Sequence, residues 1–136
     1  MRKNVKNVDD VMGTTLISNI IIVIRSSIVA IILTLLLFII FSIVMKVGNL
    51  TEDVIPPISQ VIRVTSIAFS GALAARSSKS KGWLKGALTG ITYMLWAYII
   101  SLLFGNKISL DSIAISDIGM GFIVGAIGGI IGINLK

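Results

Sequence analysis

The chain contains no cysteine and no histidine. Without them there is no disulfide framework, no thiol nucleophile, no Cys/His zinc site and no imidazole proton relay. Charge is scarce too: Asp, Glu, Lys and Arg make up 13% of the 136 residues, about half of the roughly 25% usual in a soluble domain. Proline occurs twice, at the adjacent positions Pro56 and Pro57. Apolar residues fill the gap. They account for 55% of the chain, with isoleucine alone at 27 positions, and the mean hydropathy is +1.01. A soluble fold of this length leaves too much surface facing water to hide so many apolar side chains. Disorder is excluded as well, because it requires low hydrophobicity. The composition is that of an integral membrane protein. The net charge of +6 then reads as membrane topology rather than as an affinity for nucleic acid.

A membrane-crossing helix needs about 20 mostly apolar residues. Charge-free stretches run over Ser26–Met45, Val64–Ala75, Gly86–Asn106 and Ile118–Leu135. The second reaches full length only when carried back to the two prolines, which encloses Arg63. Proline is tolerated in a first helical turn, where its missing N–H has no intrahelical partner to lose. Four spans are expected, at about 26–46, 57–76, 84–105 and 114–133. Ser80 and Gly82 serve as start signals for the third, and Gly105 with Asn106 as its stop. Continuous apolar runs such as Ile28–Ile40 lack the alternation of a membrane β-barrel strand. In lipid each segment must satisfy its own backbone, which favours helix despite the isoleucine content.

Residues 1–25 form a basic extension. Arg2, Lys3 and Lys6 precede an apolar stretch, Val11–Ile24, and Arg25 divides that stretch from the first span. No small-residue cleavage site follows, so the segment reads as a helix rather than a removed leader. Val8, Met12, Leu16, Ile20 and Val23 share one helical face, with Asn4, Asn7 and Asp10 beginning the other. The segment is therefore either an interfacial helix or an extension of the first span. With four spans both termini share a side. Arg2, Lys3, Lys6, Arg25, Arg76, Lys79, Lys81, Lys85 and Lys136 lie there, while Lys46 and Lys107 lie opposite. Nine cations against two assign that side to the cytoplasm.

Three features stand out within this frame. Small residues recur at helix-packing intervals: Gly71 in span two, Gly82, Gly86 and Gly90 in span three, and Gly121, Gly125, Gly128, Gly129 and Gly132 in span four. Such spacing lets helix backbones approach closely in lipid, either inside one bundle or against a partner. Arg63, a charge inside a span, either snorkels to the outer surface, pairs with Asp117, which enters span four from the same side, or marks a substrate or ion site. The basic loop with Arg76, Lys79, Lys81 and Lys85 sets topology and contacts anionic headgroups. Trp83 reads as an interfacial anchor. Tyr93, Trp96 and Tyr98 read as packing or belt residues.

Several activities lack their motifs. There is no GxSxG and no Walker A sequence. A small drug/proton antiporter would want an acid in its first span, and Ser26–Val44 has none. The segments Ser-Gly-Ala-Leu-Ala-Ala-Arg at 70–76, Lys81–Tyr93 and Gly125–Asn134 resemble the YrzE-like family. These are small four-span membrane proteins of Gram-positive bacteria, many of them spore-formers. The resemblance covers about residues 25–135 and is carried by Gly71, Arg76, Gly82, Trp83, Gly86, Gly90, Tyr93, Gly125, Gly129, Gly132 and Asn134. It implies the topology and leaves the activity open.

The expected fold is an all-α, up-down bundle of four transmembrane helices (residues 26–136) with a cytoplasmic or interfacial helical extension (residues 1–25). The expected location is the plasma membrane, with both termini cytoplasmic. The expected role is a non-enzymatic accessory or assembly subunit without a cofactor, acting through glycine-rich helix packing. Its partners would be the lipid bilayer and a second copy or another membrane protein. The alternative is a small transporter or channel that oligomerises around Arg63 and Asp117.

Overall fold

The computed structural model describes the backbone of residues 2–49, 51–77, 81–105 and 112–135, and their side chains except those of 2–12, 14 and 112–114. Four helices follow one another: α1 (Arg2–Gly48), α2 (Ile55–Arg76), α3 (Gly82–Leu103) and α4 (Ser112–Asn134). A short 3₁₀ turn, Glu52–Val54, leads directly into α2. All four helices are long and apolar enough to cross a membrane. They form an up-down bundle, so α1 runs parallel to α3 and α2 runs parallel to α4.

The helix ends follow local chemistry. Ile55, Pro56 and Pro57 open α2, two residues before the expected start, because the first-turn N–H groups lack intrahelical acceptors in any case. Lys81 precedes α3 in the left-handed conformation, at φ 50°. At the other end of α3, Gly105 adopts φ 77°, a left-handed helix stop that costs glycine little. Its N–H donates to the Leu102 carbonyl at 3.0 Å, and Phe104 N–H donates to Ile100 at 3.2 Å. Ser80 and Asn106, the other expected signals, lie outside the described residues.

Of the two readings of the N-terminal segment, α1 shows the extension of the first span: no break falls at Arg25, and the helix runs on from the span through the N-terminal segment. A charged residue interrupts a hydropathy profile, but arginine is a good helix former and Arg25 is exposed. Segment 11–24 is thus continuous with the span. At 1.5 Å per residue α1 is about 70 Å long, against roughly 33 Å for each of the others.

Burial is inverted relative to a water-soluble bundle. The most completely buried side chains include Ser27, Ser66, Ser70 and Thr89 beside Ile67 and Met94, while isoleucines and leucines cover the outside. Each of these hydroxyls is satisfied inside the protein. Ser66 donates to Ile62 O (2.9 Å), Ser70 to Ile67 O (3.0 Å), Thr89 to Lys85 O (2.8 Å) and Ser27 to Val23 O (2.9 Å). Among the described residues no buried side-chain polar atom lacks a partner. This pattern is stable where the surroundings are hydrocarbon, which offers polar groups nothing and welcomes apolar ones. Ala30, Ile67, Tyr93 and Met94 form the small central cluster, with Ile31, Ile118 and Val124 packed around it.

Helices α2, α3 and α4 are in mutual contact, and α1 lies against α2 and α3. Only 11% of the apolar window of α1 is buried, against 39%, 33% and 28% for α2, α3 and α4. Its attachment is one narrow stripe of Val23, Ser26, Ser27, Ala30 and Thr34. The Thr34 hydroxyl donates to Ala30 O at 2.8 Å. Its single proton being so used, Tyr93 Oη is the donor in the 3.1 Å bond between Tyr93 and Thr34. Ser27 Oγ also lies 3.3 Å from the Thr89 carbonyl.

Candidate functional site

Five glycines of α4 pack against neighbouring helices, on faces turned to α3 and α2, with Gly125 touching both. Toward α3 they form three rungs: Gly121 against Gly90, Gly125 against Gly86, and Gly129 against Gly82. A β-carbon on Gly129 would stand 2.7 Å from the Gly82 carbonyl oxygen. One on Gly90 would overlap the Gly121 carbonyl oxygen, and one on Gly86 that of Gly125. Toward α2, Gly128 lies on Ala68 and Gly132 on Ala72, each with backbone atoms where a β-carbon would go. Gly71 of α2 faces Gly125, with the carbonyl oxygen 2.7 Å from its β-carbon position. Two seams on one helix account for a glycine density greater than a single contact requires. All nine of these glycines are buried inside this one chain.

At the end where α2 and α4 begin, three polar groups meet. Arg63 Nη1 lies 3.7 Å from Asp117 Oδ2, and Tyr98 Oη donates to the same oxygen at 3.4 Å. The side chains of Arg63 and Asp117 are 36% and 26% exposed. One turn away, Gln60 Nε2 donates to Met120 Sδ at 3.0 Å. Between α2 and α4, Gln60 with Met120, Ala68 with Gly128 and Ala72 with Gly132 pair at an offset of 60, while Gly71 with Gly125 and Arg63 with Asp117 pair at an offset of 54. Arg63 and Asp117 each lie eight residues before Gly71 and Gly125, on the same two helix faces, so their backbones already face each other across the seam. Helical side chains lean toward their own N-terminus, so the arginine also points toward the near end of the bundle, where it is partly exposed beside Asp117. The 3.7 Å separation is longer than a charge-assisted hydrogen bond, which makes the contact mainly Coulombic.

The basic residues at the opposite end differ among themselves. Arg76 and Lys81 are exposed, and Lys79 lies outside the described residues. Lys85, in contrast, is only 9% exposed. It lies on the face of α3 that carries Thr89 and meets α1. Together with Lys81 it lines a cleft of about 450 Å³ between α3 and the Leu16–Ile24 part of α1. Trp83 is exposed, Tyr93 is buried and Trp96 is exposed. Sequence reasoning missed Tyr98 as a third group at Asp117 and the enclosure of Lys85. The second was signalled by the four-residue step to Thr89, a polar residue inside a span.

Four apolar helices with an inverted interior define a multi-pass integral membrane protein. Within that class the chain belongs to DUF3792, a family described as protein of unknown function, which it matches over residues 19–132. No curated protein and no solved structure matches it significantly.

Proposed function

We propose that the protein is a non-enzymatic accessory or assembly subunit of the plasma membrane, in which a glycine-packed bundle presents α1 to a partner. The observation that carries this reading is the state of α1. The helix is attached through one narrow stripe, and Leu16, Ile17, Ile20, Ile21, Ile28 and Ile32 are exposed along it. With Ser27 level with Thr89, the start of α3 at Gly82 is level with Ile20, and α1 continues about 27 Å beyond that level to Arg2. A helix serving only to fill the bundle would need neither that length nor so much free surface. The partner is a second copy or another membrane protein, bound through α1, because the glycine faces of α4 are already taken up by α2 and α3. The lysine-rich end is cytoplasmic, so both termini are cytoplasmic and the first turns of α1 extend from that side. Membership of the YrzE-like group, and with it a Gram-positive source, is the finer family reading.

Photo-crosslinking in cells tests the proposal. A benzophenone side chain at Ile21 or Ile32 should yield one discrete protein adduct, and the same group at Ile130 of α4 should yield lipid adducts alone. Lipid adducts alone at all three positions would reject it. The transport alternative predicts instead that reconstituted vesicles show a solute flux abolished by Arg63→Met.

A further inference from the structure

We propose that the cleft between α1 and α3 binds one acidic glycerophospholipid, its phosphate held by Lys81 and Lys85 and an acyl chain lying between the helices. The cleft carries its two cations at one end and is lined mainly by apolar side chains beyond them, with Asn19 on the α1 wall and Thr92 at the far end. Lys81 immediately precedes α3 and Lys85 lies in its first turn, with Leu84 beside them and Leu88 one turn further along the helix. Ile20 and Ile24 of α1 form the opposite wall. From Lys81 to Leu88 the floor extends about 10 Å toward the middle of the bundle. The volume of about 450 Å³ lies in the range of small-molecule sites, enough for a headgroup phosphate and the upper part of one chain.

Lys85 is what makes this a site rather than a gap between helices. The residue is 9% exposed and lines the cleft. Among the described residues it has no carboxylate within salt-bridge distance, and the Arg63–Asp117 pair lies at the other end of the bundle. Burial of most of the residue leaves its ammonium at the cleft with less water around it than at an open surface, and an anion placed there offsets that loss. Lys81, exposed at the mouth, supplies the second cation. A soluble anion would satisfy only the polar end and leave the walls of Ile20, Ile24, Leu84 and Leu88 empty. A lipid anion fills both. It would come from the leaflet on the side of the two termini. The inference rests on the membrane location of the bundle and not on the partner-binding role of α1.

The test uses the purified full chain in a neutral detergent. Native mass spectrometry reads binding of dioleoylphosphatidylglycerol, dioleoylphosphatidylcholine and glycerol 1-phosphate. Phosphatidylglycerol should bind at least about fivefold tighter than phosphatidylcholine, the order expected for one cation at a membrane surface. Lys85→Gln should abolish that preference, Lys85→Arg should retain it, and Lys46→Gln, at the far end of α1, should leave it unchanged. Leu88→Trp fills the apolar part without touching either cation and should weaken phosphatidylglycerol binding. That variant keeps the test decisive if Lys85→Gln does not fold. Equal binding of the two lipids would overturn the proposal, as would a preference that survives Leu88→Trp. Glycerol 1-phosphate bound as tightly as the lipid would show a site for a free anion and overturn the lipid assignment.

Discussion

Replacing Gly90 by alanine adds one methyl group to the seam between α3 and α4. Alanine is the better helix former by about 1 kcal/mol, so propensity alone would make the variant more stable. The seam opposes this. The new β-carbon would overlap the Gly121 carbonyl oxygen, with the Gly121 carbonyl carbon 2.7 Å away and Ile67 Cγ2 3.2 Å away. Two of these three are backbone atoms, which cannot rotate aside. The helices must separate by about 1 Å locally, and a gap of that size forfeits a quarter to a half of each dispersion contact it crosses. Overpacking of this kind costs about 1–3 kcal/mol, and the loss extends to the rungs at Gly86 and Gly82. We expect a net destabilisation of about 2 kcal/mol. Gly119 is the matched control: it lies in α4 with nothing within 4 Å of its β-carbon position, so Gly119→Ala should be neutral or more stable by up to about 1 kcal/mol. Gly105 would mislead as a control, since its surroundings are open but its φ of 77° strains any side chain. Reversible unfolding in mixed micelles, followed by tryptophan fluorescence, measures the difference. A Gly90→Ala protein as stable as Gly119→Ala would refute the seam.

Arg63→Met and Asp117→Asn should each destabilise the bundle, and the double variant by less than their sum, with a coupling of about 1 kcal/mol for a half-exposed pair in a detergent unfolding cycle. Additive effects would show that the two side chains do not interact. Thr34→Val should destabilise more than Tyr93→Phe, because it leaves the buried Tyr93 hydroxyl without its acceptor, whereas losing the tyrosine hydroxyl leaves Thr34 bonded to Ala30. The reverse order in the same unfolding assay would reverse the donor assignment. Phe at Tyr98 should weaken the Arg63–Asp117 coupling only slightly, since its 3.4 Å bond to Asp117 is long for a charge-assisted contact; a collapse of the coupling would make Tyr98 the organising residue.

Fold class was legible because apolar runs long enough to cross a bilayer leave few alternatives in a chain this short of charge. The glycine spacing was legible as packing, but its geometry was not. Four-residue steps show that a helix has a small-residue face. They do not show that Gly121, Gly125 and Gly129 meet α3 while Gly128 and Gly132 meet α2, since that depends on the order of helices around the bundle. Arg25 left the length of α1 open between an interfacial helix and an extension of the span, because hydropathy responds to charge and a helical backbone does not. Lys85 was read with its neighbours in the basic segment, although a turn of helix places it on the face toward α1. Spacing alone leaves Arg63 with several alternatives, and its partner is visible only from the α2–α4 faces, where Arg63 meets Asp117 as Gly71 meets Gly125 two turns on.

The central claim is that this chain crosses a bilayer four times with the lysine-rich end in the cytoplasm. The absence of native cysteine makes the measurement direct. Single cysteines at Asn49 and Ser77, both exposed positions flanking α2, are treated in intact cells with a membrane-impermeant maleimide. Asn49→Cys should label from outside, and Ser77→Cys should label only after the membrane is opened. Labelling of both from outside, or of neither, would contradict the account.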